Sequence, residues 1–341
     1  MSSNDCLTRF FFDLPKKGML KIFAENTKKG VKNASLFVIL CANHFKNCPF
    51  GMTSLLLALF ARIIANPFSN VFQKKLTLAG LHPLWVNFAT FFILACACVL
   101  PALSVNWSAF PAAFWLNCVI AGTLSASGNG FLVKALQQGD LSVLGPINSY
   151  KPVVSLIGGI FLLGELPEAG ALAGIALIVA GSYFVLDIKQ AGVTVKIGRR
   201  PEVVYRMAAM VLTAIEALFI KKIIVQSSVP VSFIVWCGFG ALFSALLLPV
   251  FGIRFTAQLR KSRPSNVRLF VALAATVGLM QATTNYVFAR MNVSYALALF
   301  QLSAMVSVVL GWKIFHEKNI RRKLGGAALM MAGAVLIILT N

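Results

Sequence analysis

Three ionisable residues lie near the middle of long apolar stretches, where a charged side chain is energetically expensive and is a functional candidate by default. One of them, Lys151, comes directly before Pro152. Because a proline inside a helix leaves a backbone carbonyl without its donor, this pair predicts a cation beside free backbone groups. Such a cation suits the carboxylate or phosphate of a substrate. The alternative is a lysine that reaches the membrane interface or pairs with a glutamate.

The other two residues, Arg62 and Glu216, lie in corresponding apolar stretches of the two halves of the chain. A structural ion pair between them is one interpretation. The other is that Arg62 binds the substrate while Glu216 takes up and releases a proton, which would make it a proton-coupling site.

Amide and phenol side chains complete the set of candidate ligands. Amides both donate and accept hydrogen bonds, and in lipid they must find partners, so we expect most of them to face protein or water. A single such residue is more often a hydrogen bond between helices than a ligand. Besides Lys151 and Arg62, the candidate substrate-binding residues are Asn66, Asn148, Tyr150, Gln281, Asn285, Tyr286 and Gln301.

The composition indicates that these residues belong to a membrane protein. Of the 341 residues, 58% are hydrophobic and 12% are charged, with a mean hydropathy of +0.82. Soluble domains are about half apolar and about a quarter charged. A helix needs ~20 mostly apolar residues to cross a bilayer. The predicted spans are 52–73, 83–103, 111–137, 141–163, 168–186, 203–220, 230–251, 268–289, 293–315 and 322–340.

Charge and cysteine usage exclude other classes. The net charge of +21 does not predict a nucleic-acid partner, because the basic residues lie in short clusters between apolar segments. The seven cysteines and three histidines show no metal-ligand spacing and no disulfide framework. We therefore predict no metal and no cofactor.

Residues 1–51 form a basic tail without a span of its own. The apolar run 34–42 is too short to cross a bilayer, and no clear small-residue cleavage site follows it. The alternative is that translation starts at Met52, which opens the first predicted span directly.

The chain contains an internal repeat. Residues 139–189 align with 291–341 without a gap at a shift of 152, and a glutamate and three glycines stay in register. The front of each half agrees more weakly at a shift of 147, which aligns two Phe-x-Lys-Lys motifs. The matched pairs are Glu165/Glu317, Gly159/Gly311, Gly174/Gly326, Gly181/Gly333, Lys74/Lys221 and Lys75/Lys222.

This repeat predicts the architecture. Each copy holds five predicted spans, and because five is odd, the second copy must enter the membrane from the opposite side. We predict an all-α integral membrane fold of ten transmembrane helices in two inverted five-helix repeats, 52–188 and 203–341. In transporters built this way the substrate site lies between the repeats, near the midplane.

The motifs of the first copy resemble a known family. Leu141-Ser142-Val143-Leu144-Gly145-Pro146-Ile147, Lys151-Pro152-Val153, Gly164-Glu165 and the glycine-bounded run 174–181 resemble the conserved block of the EamA family, in the drug/metabolite transporter superfamily. The resemblance implies a central cavity lined mainly by helices 1–4 and 6–9, with helices 5 and 10 peripheral. The second copy departs from the pattern, since His316 replaces the glycine before Glu317 and the ninth span lacks a proline. The two halves are therefore not expected to move alike.

The membrane orientation is in conflict. Lys and Arg total 16 in the loops after odd-numbered spans and 3 in the loops after even-numbered spans. This count predicts that both termini lie outside the cytoplasm. The resemblance implies that both termini lie inside the cytoplasm, and we favour this orientation. The basic tail, if it is present, reduces the difference in Lys and Arg count between the two sides of the membrane.

We predict a secondary transporter that moves a small polar metabolite, an amino acid or a related zwitterionic or anionic compound, by alternating access across a bacterial cytoplasmic membrane. No nucleotide-binding loop accompanies the spans, and no set of residues suits a membrane enzyme. The alternative is a scaffold or receptor that transports nothing. The glycine pair Gly170-x-x-x-Gly174 permits either internal packing or a homodimer face.

Overall fold

The computed structural model describes residues 50–163, 169–185, 200–262, 264–291, 293–316 and 320–339, in which the regular structure is helical. A helix satisfies its backbone N–H and C=O groups within one segment, as lipid requires. The predicted tail, apart from residues 50 and 51, lies outside the described residues, as do Glu165 and Glu317. The described residues from Ala58 onward belong to one compact unit.

The described helices follow one another with short connections. Those of the first half are α1 (Phe50–Leu78), α2 (Pro83–Ala97), α3 (Val99–Leu103), α4 (Ala112–Gln138), α5 (Leu141–Ile147), α6 (Lys151–Leu163) and α7 (Ala169–Val185). Those of the second half are α8 (Pro201–Gln226), α9 (Val229–Val250), α10 (Phe255–Lys261), α11 (Pro264–Arg290), α12 (Val293–Leu299), α13 (Leu302–Phe315) and α14 (Ile320–Leu339).

Five described segments are long and apolar enough to cross a membrane. They are Thr53–Leu78, Ala112–Gln138, Val229–Val250, Asn266–Arg290 and Val293–Phe315. Two shorter helices, Pro83–Ala97 and Leu172–Gly181, are also apolar. The other predicted spans correspond to helices that are interrupted or carry several charged residues, such as α8 with Arg206 and Glu216. The described part of the chain is therefore helical, and its long apolar helices are those of a multi-pass membrane protein.

The fourth and ninth predicted spans are interrupted at the same register. The 3₁₀ turn Asn148–Tyr150 separates α5 from α6, and Pro152 cannot donate to the carbonyl four residues earlier. Phe300 and Gln301, 152 residues further on, separate α12 from α13. There the side chains of Gln301 and Ser303 donate to backbone carbonyls of the preceding turn. The ninth predicted span is therefore interrupted although it lacks a proline, and side-chain donors to backbone carbonyls accompany this interruption.

Helices α7 and α14 cross at glycines. A Cβ on Gly333 would lie 2.5 Å from the carbonyl oxygen of Gly174, and a Cβ on Gly181 would lie 2.8 Å from that of Gly326. All four positions belong to the 152-residue repeat. Glycine is therefore required at positions 181 and 333, because the two backbones approach closely. Gly174 is used in internal packing, and a homodimer stays a prediction.

The repeated Phe-x-Lys-Lys motif also has a packing role. Lys74 Nζ, near the end of α1, donates to the carbonyl of Gly139 at 2.8 Å, where α4 ends. Lys221 Nζ, on α8, donates to the carbonyls of Phe288 and Met291, where α11 ends. A cation at a helix C-terminus meets carbonyls that lack helical donors. The two lysines are therefore equivalent helix caps in the two repeats.

Candidate functional site

A polar cavity lies within residues 58–341, and both repeats line it. Its empty space, including the part open to solvent, is about 790 Å³. The described part of the second predicted span contributes no lining residue, although the resemblance implied that it would. The lining residues are Arg62, Asn66, Ser69, Asn70, Gln73, Asn129, Leu132, Asn148, Lys151, Arg206, Ala209, Thr213, Glu216, Ala217, Ile220, Trp236, Val277, Met280, Gln281, Thr284, Phe288, Leu297 and Phe300.

The cavity is symmetric in position and asymmetric in chemistry. Helix α1 contributes five lining residues, Arg62, Asn66, Ser69, Asn70 and Gln73. A shift of 147 converts these five into lining residues of α8, namely Ala209, Thr213, Glu216, Ala217 and Ile220. The repeat therefore places equivalent helix faces on the cavity, but the first copy supplies mostly amides and a cation, and the second supplies mostly apolar groups.

Lys151 is the first residue of α6 and follows the 3₁₀ turn directly. It interacts electrostatically with two other cations, Arg62 and Arg206, and with one carboxylate, Glu216. Among the described residues its ammonium group has neither a hydrogen-bond acceptor nor an ion-pair partner within 4 Å. It lines the cavity, and its role as a substrate ligand stays a prediction.

Arg62 is held in place by its Nε atom and its planar face. Nε donates to Thr284 Oγ1 at 2.7 Å, and the guanidinium carbon lies 4.7 Å from the centre of the Phe300 ring. The terminal nitrogen Nη1 is buried without a hydrogen-bond partner. An unpaired buried donor is rare and costly, so it is a candidate contact for a ligand.

Glu216 does not pair with Arg62. One of its carboxylate oxygens accepts from the indole of Trp236 at 2.7 Å, and the hydroxyl of Ser125 also bonds to it. Trp236 is itself a cavity wall. The structural ion pair considered above is therefore not formed, and both charges remain directed to the cavity.

Arg206 is a cavity residue that sequence reasoning missed. It lies inside the sixth predicted span, near its start, and was not among the candidate site residues; α8 begins at Pro201, so Arg206 lies in the second turn of this helix. It is 3% exposed, and its Nε donates to the carbonyl of Leu144 at 2.8 Å, next to the interruption between α5 and α6. Its spacing of ten residues from Glu216 is about 2.8 helical turns, which leaves the two side chains about 80° apart around α8, within the ~100° width of one helix face, and this spacing is the signal that could have grouped them.

Buried amides form one wall of the cavity. Asn66 Nδ2 donates to Ser303 Oγ at 3.3 Å. By contrast, the side-chain oxygens of Asn70, Gln73 and Asn148 are buried without a partner. These amides therefore have hydrogen-bonding capacity that the described protein leaves unused.

Five of the nine predicted substrate-binding residues line the cavity, namely Lys151, Arg62, Asn66, Asn148 and Gln281. The other four lie outside its lining. Asn285 links Gln281 to Ser232, and the Gln301 amide donates to the carbonyl of Leu297 in α12. Tyr286 stacks with Arg290, and Tyr150 packs against the hydrophobic core. The described residues contain no group of three His, Cys, Asp or Glu side chains that could hold a metal ion.

Comparison with known proteins agrees with the repeat. The chain matches the EamA-like transporter family over residues 51–187 and again over residues 200–339. A search of curated proteins returns no match. One solved crystal structure of a protein aligns with a TM-score of 0.58 at 19% identity, over 84% of this chain and 98% of that one, which shows a shared fold. The two family matches cover most of the sequence, and the chain belongs to the EamA-like transporter family.

Proposed function

We propose that the protein is a secondary transporter that binds a small polar metabolite in the cavity and moves it across the membrane. One observation carries this proposal. Equivalent faces of α1 and α8 line a polar cavity, which supports a substrate site between the two repeats. Inverted-repeat transporters bind their substrates in this position.

The proposed architecture has ten membrane crossings in two inverted five-helix repeats, with alternating access between them. Two equivalent contacts of the interrupted helices support this mechanism. A Cβ on Gly145 of α5 would lie 2.5 Å from Cβ of Ser307 on α13, and Ser155 on α6 lies 3.0 Å from Ser294 on α12, Oγ to Oγ. Ser155 and Ser307 are equivalent residues of the repeat. In alternating access, one of these contacts opens while the other closes.

Glu216 is the proposed proton-coupling residue. It is the single carboxylate among the residues that line the cavity. Glu216 interacts electrostatically with Lys151. Protonation of Glu216 would therefore change the net charge of the cavity around a bound substrate. We place the transporter in a bacterial cytoplasmic membrane with both termini inside.

Uptake into proteoliposomes tests the proposal. The purified protein, reconstituted with a pH gradient, would be assayed with labelled amino acids, dicarboxylates, sugar phosphates and nucleosides. We expect accumulation of one chemical class, abolished in Lys151→Ala and retained in the exposed control Arg260→Ala. If no class enters the vesicles and none raises the melting temperature of the folded protein, the transporter proposal is wrong and the scaffold alternative gains support.

A further inference from the structure

The cavity has unbalanced charge. Three cations line it, Arg62, Lys151 and Arg206, against one carboxylate, Glu216, which leaves two positive charges in excess. None of the three cations forms an ion pair within 4 Å in the described part of the chain. Charges removed from bulk water are normally paired, since an unpaired one loses solvation without compensation. The missing partner is therefore expected to arrive with the ligand.

Both arginines are positioned in the same manner. Each uses its Nε atom to bond the protein, to Thr284 in the case of Arg62 and to the carbonyl of Leu144 in the case of Arg206. Neither has a hydrogen bond from its terminal nitrogens to the described residues. A guanidinium presented by its terminal nitrogens binds two oxygen atoms of a carboxylate or phosphate in a fork. The anchoring bonds fix these forks in advance, which lowers the entropy lost on binding.

A second, uncharged feature adds to the first. The side-chain oxygens of Asn70, Gln73 and Asn148 line the same cavity without partners. An amide presents an acceptor on one side and donors on the other, and a hydroxyl group pairs with either. The ligand is therefore expected to carry hydroxyl groups in addition to its charges.

From these features we infer that the cavity binds a small hydroxylated dianion, whose two negative charges neutralise the excess of Arg62, Lys151 and Arg206 over Glu216. The inference rests on the proposed transport function and narrows its substrate class. A zwitterion would leave both positive charges uncompensated, and an amino acid with one net negative charge would leave one. Dicarboxylates and phosphate monoesters share the required chemistry, and the experiment separates them.

The test is a charge series of nearly constant size. Binding of glutamine, glutamate, glutarate and 2-hydroxyglutarate to the purified full chain would be measured by calorimetry, with glycerol 3-phosphate as the phosphate arm. We expect affinity to rise by about tenfold or more for each added negative charge. We expect 2-hydroxyglutarate to bind more tightly than glutarate, because only the former has a hydroxyl for the amide wall.

Variants separate a binding role from a structural one. Lys151→Gln and Arg206→Gln each remove one positive charge and retain a polar side chain, so the preference for 2-hydroxyglutarate over glutamate should fall by about tenfold. Gln73→Met, which is similar in size, should reduce the advantage of 2-hydroxyglutarate over glutarate. The exposed control Arg260→Gln should change neither ratio. A purely structural residue would weaken all ligands alike and leave both ratios intact.

Each outcome decides the inference. Tightest binding by a dicarboxylate or by glycerol 3-phosphate supports the inference, and the ligand that binds more tightly identifies whether the substrate is a dicarboxylate or a phosphate monoester. Tightest binding by glutamine or glutamate, or no binding by any dianion, overturns it. If the same proteoliposomes then accumulate a neutral or cationic metabolite, the transport function stands without the dianion. If they accumulate nothing, both are wrong.

Discussion

Replacing Lys151 by alanine should have opposite effects on the free protein and on its complex. In the free protein the ammonium group faces Arg62 and Arg206, which repel it, and Glu216, which attracts it. The balance is one net repulsive charge, and no hydrogen bond to a described residue is lost with the side chain. At an effective dielectric constant of ~20, one unit charge contributes about 4 kcal/mol at ~4 Å and proportionally less at larger separations, and solvent in the cavity reduces it further. The substitution should therefore stabilise the unliganded protein by about 1 kcal/mol.

In the complex the same substitution removes a cation that the bound anion needs. Hydrogen bonds to charged groups contribute roughly 1.5–3 kcal/mol, so the dissociation constant should rise by about ten- to a hundredfold. Thermal unfolding with and without ligand measures both effects in one preparation. The melting temperature without ligand should rise slightly, and the shift on adding ligand should shrink.

The matched control is Arg260→Ala, an exposed cation on α10 outside the cavity lining. It should leave both the free melting temperature and the ligand-induced shift unchanged. If Lys151→Ala instead lowers the free melting temperature by several degrees and leaves the ligand-induced shift intact, the lysine is a structural residue and the reasoning fails.

Further predictions concern coupling, access and packing. Glu216→Gln can still accept the Trp236 bond, so we expect it to bind substrate but to lose pH-driven accumulation in proteoliposomes; retained accumulation would exclude proton coupling through this residue. Gly145→Val places bulk against Ser307, so uptake should fall while calorimetric binding persists; unchanged uptake would show that this contact is not a gate. Gly333→Leu should destabilise the protein by about 1–3 kcal/mol in chemical unfolding, because its side chain meets backbone. In the matched control Gly325→Ala nothing lies within 4 Å of the new Cβ, and the change should be neutral or stabilise the helix by up to about 1 kcal/mol.

Much of this organisation could be predicted because it is encoded locally. Apolar composition and segment length identify a membrane protein, since lipid imposes helices on any chain that crosses it. The gapless repeat likewise predicts which residues are equivalent. The glycines where α7 crosses α14, and the lysines that cap α4 and α11, are all members of the pairs that the repeat aligns.

The membership of the cavity was decided by tertiary structure. In an apolar helix hydropathy does not distinguish the face that meets lipid from the face that meets protein, so Asn285 and Gln281 were equal candidates although only Gln281 lines the cavity. Arg206 illustrates the same limit, because a charge near a helix end has the same sequence signature whether it is solvated or buried. Its burial against Leu144 follows from how α8 packs beside the interruption between α5 and α6. The class, the repeat and the equivalent positions follow from residue types and spacing alone. Lateral helix packing decided which side chains share the cavity and left it with excess positive charge.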